Sequence, residues 1–126
     1  MIKVKGLFEY VKTRSVPRQS KPYPPLQKAV QNQSVFEFRK IEGTMVGVRA
    51  PDSVRGLSVP GYHFHFITKD RRAGGHLLDC KIQNATMEID LTQGFHMILP
   101  GSEDFYKAKL TGEEQRELGP VEKQSR

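Results

Sequence analysis

Cysteine is almost absent from this chain of 126 residues, in which Cys80 is the single example. An intrachain disulfide is therefore impossible, and a metal site built from several thiolates would need more sulfur than the sequence contains. No apolar run approaches the length that crosses a bilayer, so we expect no membrane partner. The first residues, from Met1 to Gly6, lack the hydrophobic stretch of a secretory signal, which predicts a cytoplasmic protein.

Apolar residues are also in modest supply. The hydrophobic set makes up 37% of the chain and aromatic residues 9%, which is enough for one globular core but not for a thick one. The length suits a single domain over residues 1–126. A partner surface can complete such a core, and an exposed edge of the predicted sheet favours association, so we expect a homo-oligomer.

Charge of one sign is in excess, with a formal net charge of +6. Such a balance is compatible with nucleic-acid binding, in which clustered basic side chains displace counterions from phosphates. Here the basic residues are scattered, and the longest purely basic run is Arg71-Arg72. We therefore predict no nucleic-acid partner, and an anionic small-molecule substrate fits the charge equally well.

Histidine provides the most informative motif. On an extended segment alternate side chains share a face, so His63 and His65 project together while Phe64 and Phe66 project to the other side. Residues 68–75 are rich in turn formers and allow the chain to reverse, which brings His76 alongside the pair. Three imidazoles with vacant positions are typical of a catalytic metal site, and neutral imidazole suits zinc, copper, iron, nickel and manganese to differing degrees.

An alternative interpretation of the pair stays open at this point. Histidines on strands also occur as half-buried polar residues that bond to backbone or carboxylate groups. The fourth histidine, His96, lies in an alternating apolar run without a companion ligand nearby, which favours a structural role. We therefore restrict the predicted metal site to His63, His65 and His76.

Strand patterns dominate the rest of the chain. We predict a strand over residues 6–12, a hairpin of residues 36–39 and 44–49 that turns at Glu42-Gly43, and a further antiparallel pair from residues 87–91 and 95–99. In the return strand that begins at His76, residues 76, 78, 80 and 82 share one phase, which predicts that the metal site faces the interior.

Helices are predicted only as short segments. Pro24-Pro25 can open a helix that ends near Gln33, Ser102 can open a second, and Thr111 a third that stops at Gly119. The expected class is α/β, with a mainly antiparallel sheet and short flanking helices. A barrel-like closure of that sheet remains an open option.

Three separated segments resemble the α-acetolactate decarboxylase family, in the same order along the chain. They are Phe8-Glu9-Tyr10-Val11-Lys12-Thr13-Arg14-Ser15-Val16-Pro17-Arg18-Gln19, Lys21-Pro22-Tyr23-Pro24-Pro25-Leu26 and Val59-Pro60-Gly61-Tyr62-His63-Phe64-His65-Phe66. The resemblance implies a cytoplasmic lyase that converts 2-acetolactate to acetoin and carbon dioxide, the acetoin-forming step. It also implies one zinc ion bound by the three histidines already selected.

The resemblance implies two further site residues. Arg14 matches an arginine that binds the substrate carboxylate, and a planar, permanently charged fork suits that task. Glu122 matches a glutamate near the end of the family's chain. On composition alone, Arg14 would be a surface ion-pair partner and Glu122 a solvated charge on a fraying end.

Family members carry an additional N-terminal half, which includes a second active-site glutamate. The chain is therefore expected to correspond to the C-terminal, metal-binding part of the decarboxylase. Two functions follow from this expectation. The chain is either a zinc-dependent decarboxylase, active or inactive without the N-terminal half, or a non-catalytic metal-binding remnant or module that requires a partner chain.

Overall fold

Long antiparallel strands make up most of the structure. The protein is seen here as a computed structural model, which describes residues 1–55, 57–58 and 60–107. In chain order the elements are β1 (Ile2–Ser15), α1 (Leu26–Gln31), β2 (Ser34–Ala50), a 3-10 turn (Asp52–Val54), β3 (Gly61–Thr68), β4 (Gly74–Ile89) and α2 (Glu103–Lys107). The predicted strand at residues 6–12 is therefore the middle of a longer one.

The strand order closes on itself. β1 pairs antiparallel with β2 on one side and with β4 on the other, and β3 pairs antiparallel with the same two strands. The β3 to β4 ladder is short and joins only residues 65–67 to residues 74–76. The mainly antiparallel sheet is thus confirmed, whereas the α/β class fits loosely because the α-helices have only six and five residues.

The hydrophobic core lies on one face of these strands. Its buried members are Val4, Phe8, Val11, Met45 and Phe66. The rings of Phe8 and Phe66 meet edge to face with centroids 5.3 Å apart, a favoured geometry for aromatic pairs. The core therefore joins β1, β2 and β3. Phe66 belongs to this core and directly follows the candidate ligand His65 on β3.

The predicted hairpin at Glu42-Gly43 is wrong, because β2 runs unbroken from Ser34 to Ala50. Gly43 does not form a turn; it lies inside β2, where it allows close packing against β3. A Cβ at this position would lie 2.3 Å from Cζ of Phe66, so glycine leaves room for the ring of a core residue on β3. Glycine inside a strand often marks such a close approach.

The predicted pairing of residues 87–91 with 95–99 is also wrong. Met87 and Ile89 belong to β4, where they pair with Val4 and Ile2 of β1. Residues 91–102 form no helix or strand, and side chains such as Ile98 are largely exposed. The register that places the end of β4 against the start of β1 leaves residues 95–99 without a strand partner.

Both predicted helices that fall within the described residues are present. The backbone N–H of Phe105 donates to Ser102 Oγ at 3.3 Å, so the serine caps α2 as the sequence indicated. The third predicted helix, from Thr111 to Gly119, lies outside the described residues. Among the described helices, none is both long and apolar enough to cross a membrane.

Candidate metal centre

The register between β3 and β4 brings the three histidines together. His65 and His76 are direct cross-strand partners, so their side chains lie on the same face of the sheet. His63 lies two residues from His65 along β3 and therefore shares that face. The predicted hairpin after Thr68 is confirmed, and it produces this alignment.

The geometry of the triad suits a single metal ion. One ligand nitrogen from each ring lies within 4.8 Å of the other two, the one such group of three among the described residues. The Nε2 atoms of His63 and His65 are 3.2 Å apart. Two imidazole nitrogens at zinc bond lengths in a tetrahedral site are separated by about 3.3 Å. The observed spacing is therefore close to that of two ligands on one zinc ion.

The triad lies on the opposite face of the sheet from the hydrophobic core. His63 and His65 alternate with Phe64 and Phe66, which contribute to the core. On β4, His76 precedes Leu77, which also packs against the core. The expectation that His76 continues an inward apolar row is therefore wrong. A register shift of β4 against β1, next to Thr13, changes the phase of the strand at this point.

The turn before His76 is held by hydrogen bonds to Thr68 and Asp70. The Thr68 hydroxyl donates to Asp70 Oδ1 at 2.6 Å, and the Arg72 N–H donates to the same oxygen at 3.1 Å. The Ala73 N–H donates to Thr68 Oγ1 at 3.2 Å. These bonds fix the length of the turn, and hence the register of the two strands that carry the ligands.

Gly75 completes the local geometry. It adopts a φ of +152°, and a Cβ there would lie 2.5 Å from the carbonyl oxygen of Arg14. A side chain is therefore excluded by the close approach of β1 and β4. Glycine at this position lets Arg14 lie directly beside His76.

Asp70 gives the turn a dependence on pH. The hydrogen bond from Thr68, followed by that from the Arg72 N–H, lowers the pKa of the Asp70 carboxyl. A lowered folded-state pKa stabilises the protein above the unfolded value of about 3.9, and this stabilisation is lost as the pH falls through the folded pKa. We therefore expect the metal-free wild type to have a higher Tm than metal-free Asp70→Asn above this pH, and we expect the difference in Tm to disappear on acidification. A difference in Tm that is independent of pH would contradict this.

Arg14 extends the site onto a third strand. It is the cross-strand partner of His76 on β1, so its side chain shares the face of the triad. Although charged, it is only 5% exposed. Nη1 donates to Oε1 of Gln33 at 3.2 Å, and no carboxylate among the described residues forms an ion pair with it. A buried guanidinium with donors to spare is suited to binding an anion.

The remaining predicted residues have different outcomes. Glu122 lies outside the described residues, so its place in the site stays a prediction. His96 is exposed in a segment without regular structure; its exclusion from the triad agrees with the structure, and its predicted structural role does not. Sequence reasoning missed Gln33, because a glutamine 19 residues away from Arg14 carries no signal of such a contact.

The fold and the site together define a class of protein. In this class a closed antiparallel sheet carries a candidate mononuclear metal centre of three histidines, and a buried arginine lies beside the centre. The α-acetolactate decarboxylase family model matches residues 1–112. The chain belongs to the α-acetolactate decarboxylase family.

Individual relatives agree with this assignment. The chain is 54% identical over 122 residues to the α-acetolactate decarboxylase of Methanosarcina mazei, covering 97% of this chain and 42% of that protein. It is 43% identical to that of Brevibacillus brevis, with coverage of 87% and 39%. The crystal structure of α-acetolactate decarboxylase from Bacillus subtilis strain 168 matches with a TM-score of 0.90 at 37% identity, covering 96% of this chain and 52% of that one. The chain thus spans about two-fifths to one half of these relatives.

Proposed function

We propose that the chain carries the metal-binding part of a zinc-dependent decarboxylase that converts 2-acetolactate to acetoin and carbon dioxide. The observation that carries this proposal is the convergence of His63, His65 and His76 beside the buried Arg14. Membership of the α-acetolactate decarboxylase family supports decarboxylation as the reaction. The names of the relatives support 2-acetolactate as the substrate.

Zinc fits the donors that the site offers. Neutral imidazole nitrogens are common zinc ligands, and three protein ligands leave a position for substrate or water. When bound, zinc would supply Lewis-acid polarisation of the oxygen atoms next to the carbon that loses the carboxylate. The exposure of His65 and the partial exposure of the other two rings leave the site accessible.

Arg14 would bind the carboxylate of the substrate. The guanidinium has five N–H donors in a planar fork, and the hydrogen bond to Gln33 uses one of them, which leaves others for a carboxylate. Held in this way, the carboxylate would be fixed relative to the bond that breaks, which is how orientation lowers a barrier. Glu122 would then deliver a proton to the carbon from which carbon dioxide has departed.

Two measurements test the proposal. We expect the purified full chain to retain about one zinc ion per molecule, measured by elemental analysis after gel filtration. We expect zinc-loaded protein to form acetoin from racemic 2-acetolactate, with metal-free protein as the control. Failure to take up zinc on reconstitution would contradict the site itself.

A specific observation favours a second candidate function, that of a non-catalytic metal-binding module that requires a partner chain. The chain spans 42% of the Methanosarcina mazei relative, and many large apolar side chains among the described residues are exposed, including Met87, Ile89 and Phe95. Zinc binding without acetoin formation would select this function. Homo-oligomerisation and a cytoplasmic location remain predictions, the first of which light scattering would test.

A further inference from the structure

We infer that Gln33 is a positioning residue for Arg14, one that holds the guanidinium in place for an anionic substrate without neutralising its charge. The inference rests on the proposed function, because it assigns Gln33 to the carboxylate subsite of the same centre. It starts from the part-buried hydrogen bond that Arg14 Nη1 donates to Gln33 Oε1 at 3.2 Å. A long arginine side chain would otherwise sample many rotamers.

The backbone of Gln33 is fixed on both sides. Its N–H donates to the carbonyl oxygen of Val30 at 3.1 Å, which ties it to the last turn of α1. The next residue, Ser34, begins β2 and pairs with Ser15 of β1. Val30 is buried, so the helix end is anchored as well. A side chain that leaves such a rigid point can hold its partner in a defined position.

The chemistry of the amide explains why glutamine suits this role. Its carbonyl oxygen accepts a hydrogen bond but carries no net charge, so the positive charge of Arg14 stays available to an anion. A glutamate at position 33 would form a charge-assisted pair with Arg14 and compete with the substrate carboxylate. A glutamate at position 33 should therefore keep the Arg14 guanidinium ordered but weaken the binding of a carboxylate. A leucine should instead leave the guanidinium less ordered.

The first arm of the test measures the order of Arg14 directly. The zinc-loaded full chain, labelled with nitrogen-15, gives an arginine Nε–H resonance for Arg14 that is identified by its absence in Arg14→Gln. We expect this resonance to broaden and to exchange faster with water in Gln33→Leu and in Gln33→Asn, which is one methylene shorter. We expect it to persist in Gln33→Glu. An unchanged resonance in Gln33→Leu would overturn the inference.

The second arm measures binding of a small carboxylate by calorimetry. The probe is 2-hydroxyisobutyrate, and its uncharged counterpart 2-hydroxyisobutyramide is the matched control. We expect Gln33→Glu to weaken binding of the carboxylate by about tenfold while the amide is unaffected. Retention of full carboxylate affinity in Gln33→Glu would overturn the argument from charge.

The two arms separate this inference from the proposed function. Zinc content should be unchanged in every Gln33 variant, because position 33 is not among the ligands. If wild type binds neither probe, the proposed carboxylate subsite fails, and the resonance of Arg14 still decides whether Gln33 holds the guanidinium. A resonance that broadens in Gln33→Leu alongside intact dispersion of the backbone signals supports positioning over a general loss of folding.

Discussion

Replacing His76 with alanine is expected to reduce the zinc affinity of the chain by more than about 100-fold. Loss of a group that merely orients a ligand costs about 10-fold to 100-fold in metal affinity, and loss of a ligand should cost more. His76 is the one member of the triad contributed by β4, so the remaining pair would come from a single strand. Competition with a chromogenic chelator measures the affinity.

The matched control for that substitution is His96→Ala. His96 is exposed and lies outside the group of three, so its removal should leave zinc affinity unchanged. Thermal unfolding of both variants without metal would report any damage to the fold. Equal zinc affinity in wild type and His76→Ala would refute the assignment of the metal centre.

Replacing Arg14 with glutamine is expected to weaken binding of 2-hydroxyisobutyrate to the zinc-loaded chain by about 100-fold, equivalent to about 3 kcal/mol. The guanidinium provides charge-assisted, paired hydrogen bonds that an amide cannot replace. Arg14→Lys should give an intermediate loss, since it keeps the charge but not the fork. Calorimetry measures the affinity, and zinc content should stay constant.

Arg18→Gln is the control for the effect of net charge. Arg18 is exposed in the loop after β1, so its removal lowers the charge of the chain by the same amount without touching the site. A loss of affinity equal to that of Arg14→Gln would mean that general electrostatic attraction, and not a specific contact, binds the carboxylate.

The convergence of the three histidines could be predicted from sequence because its causes are local. Strand alternation aligns His63 with His65, and the turn that follows Thr68 returns the chain to place His76 opposite His65. The predicted role of Arg14 came from the family resemblance alone. Its position beside His76 depends on the pairing of β1 with β4, which no short-range pattern reveals.

Two errors have a common physical origin in contacts between distant residues. Gly43 resembles a turn residue in the sequence, but it is glycine because the ring of Phe66 occupies the space of a side chain. Likewise, the phase of β4 changes at its register shift against β1, so the apolar row read from His76 onward was not continuous. Such shifts arise from the partner strand and leave no mark in the strand's own alternation.

β1 pairs with two strands that lie far apart in the sequence, β2 and β4, and this has a consequence for folding. Ile2 has Gly47 as one partner and Ile89 as the other, so β1 cannot complete its pairing before residue 89 is available. Topologies with such sequence-distant pairs fold slowly, because the entropy of closing the loop is lost before contacts compensate for it. Val4 and Phe8 are therefore fully covered only once β4 has paired with β1, and a folding intermediate that lacks this pairing would offer them as a binding site for a holding chaperone.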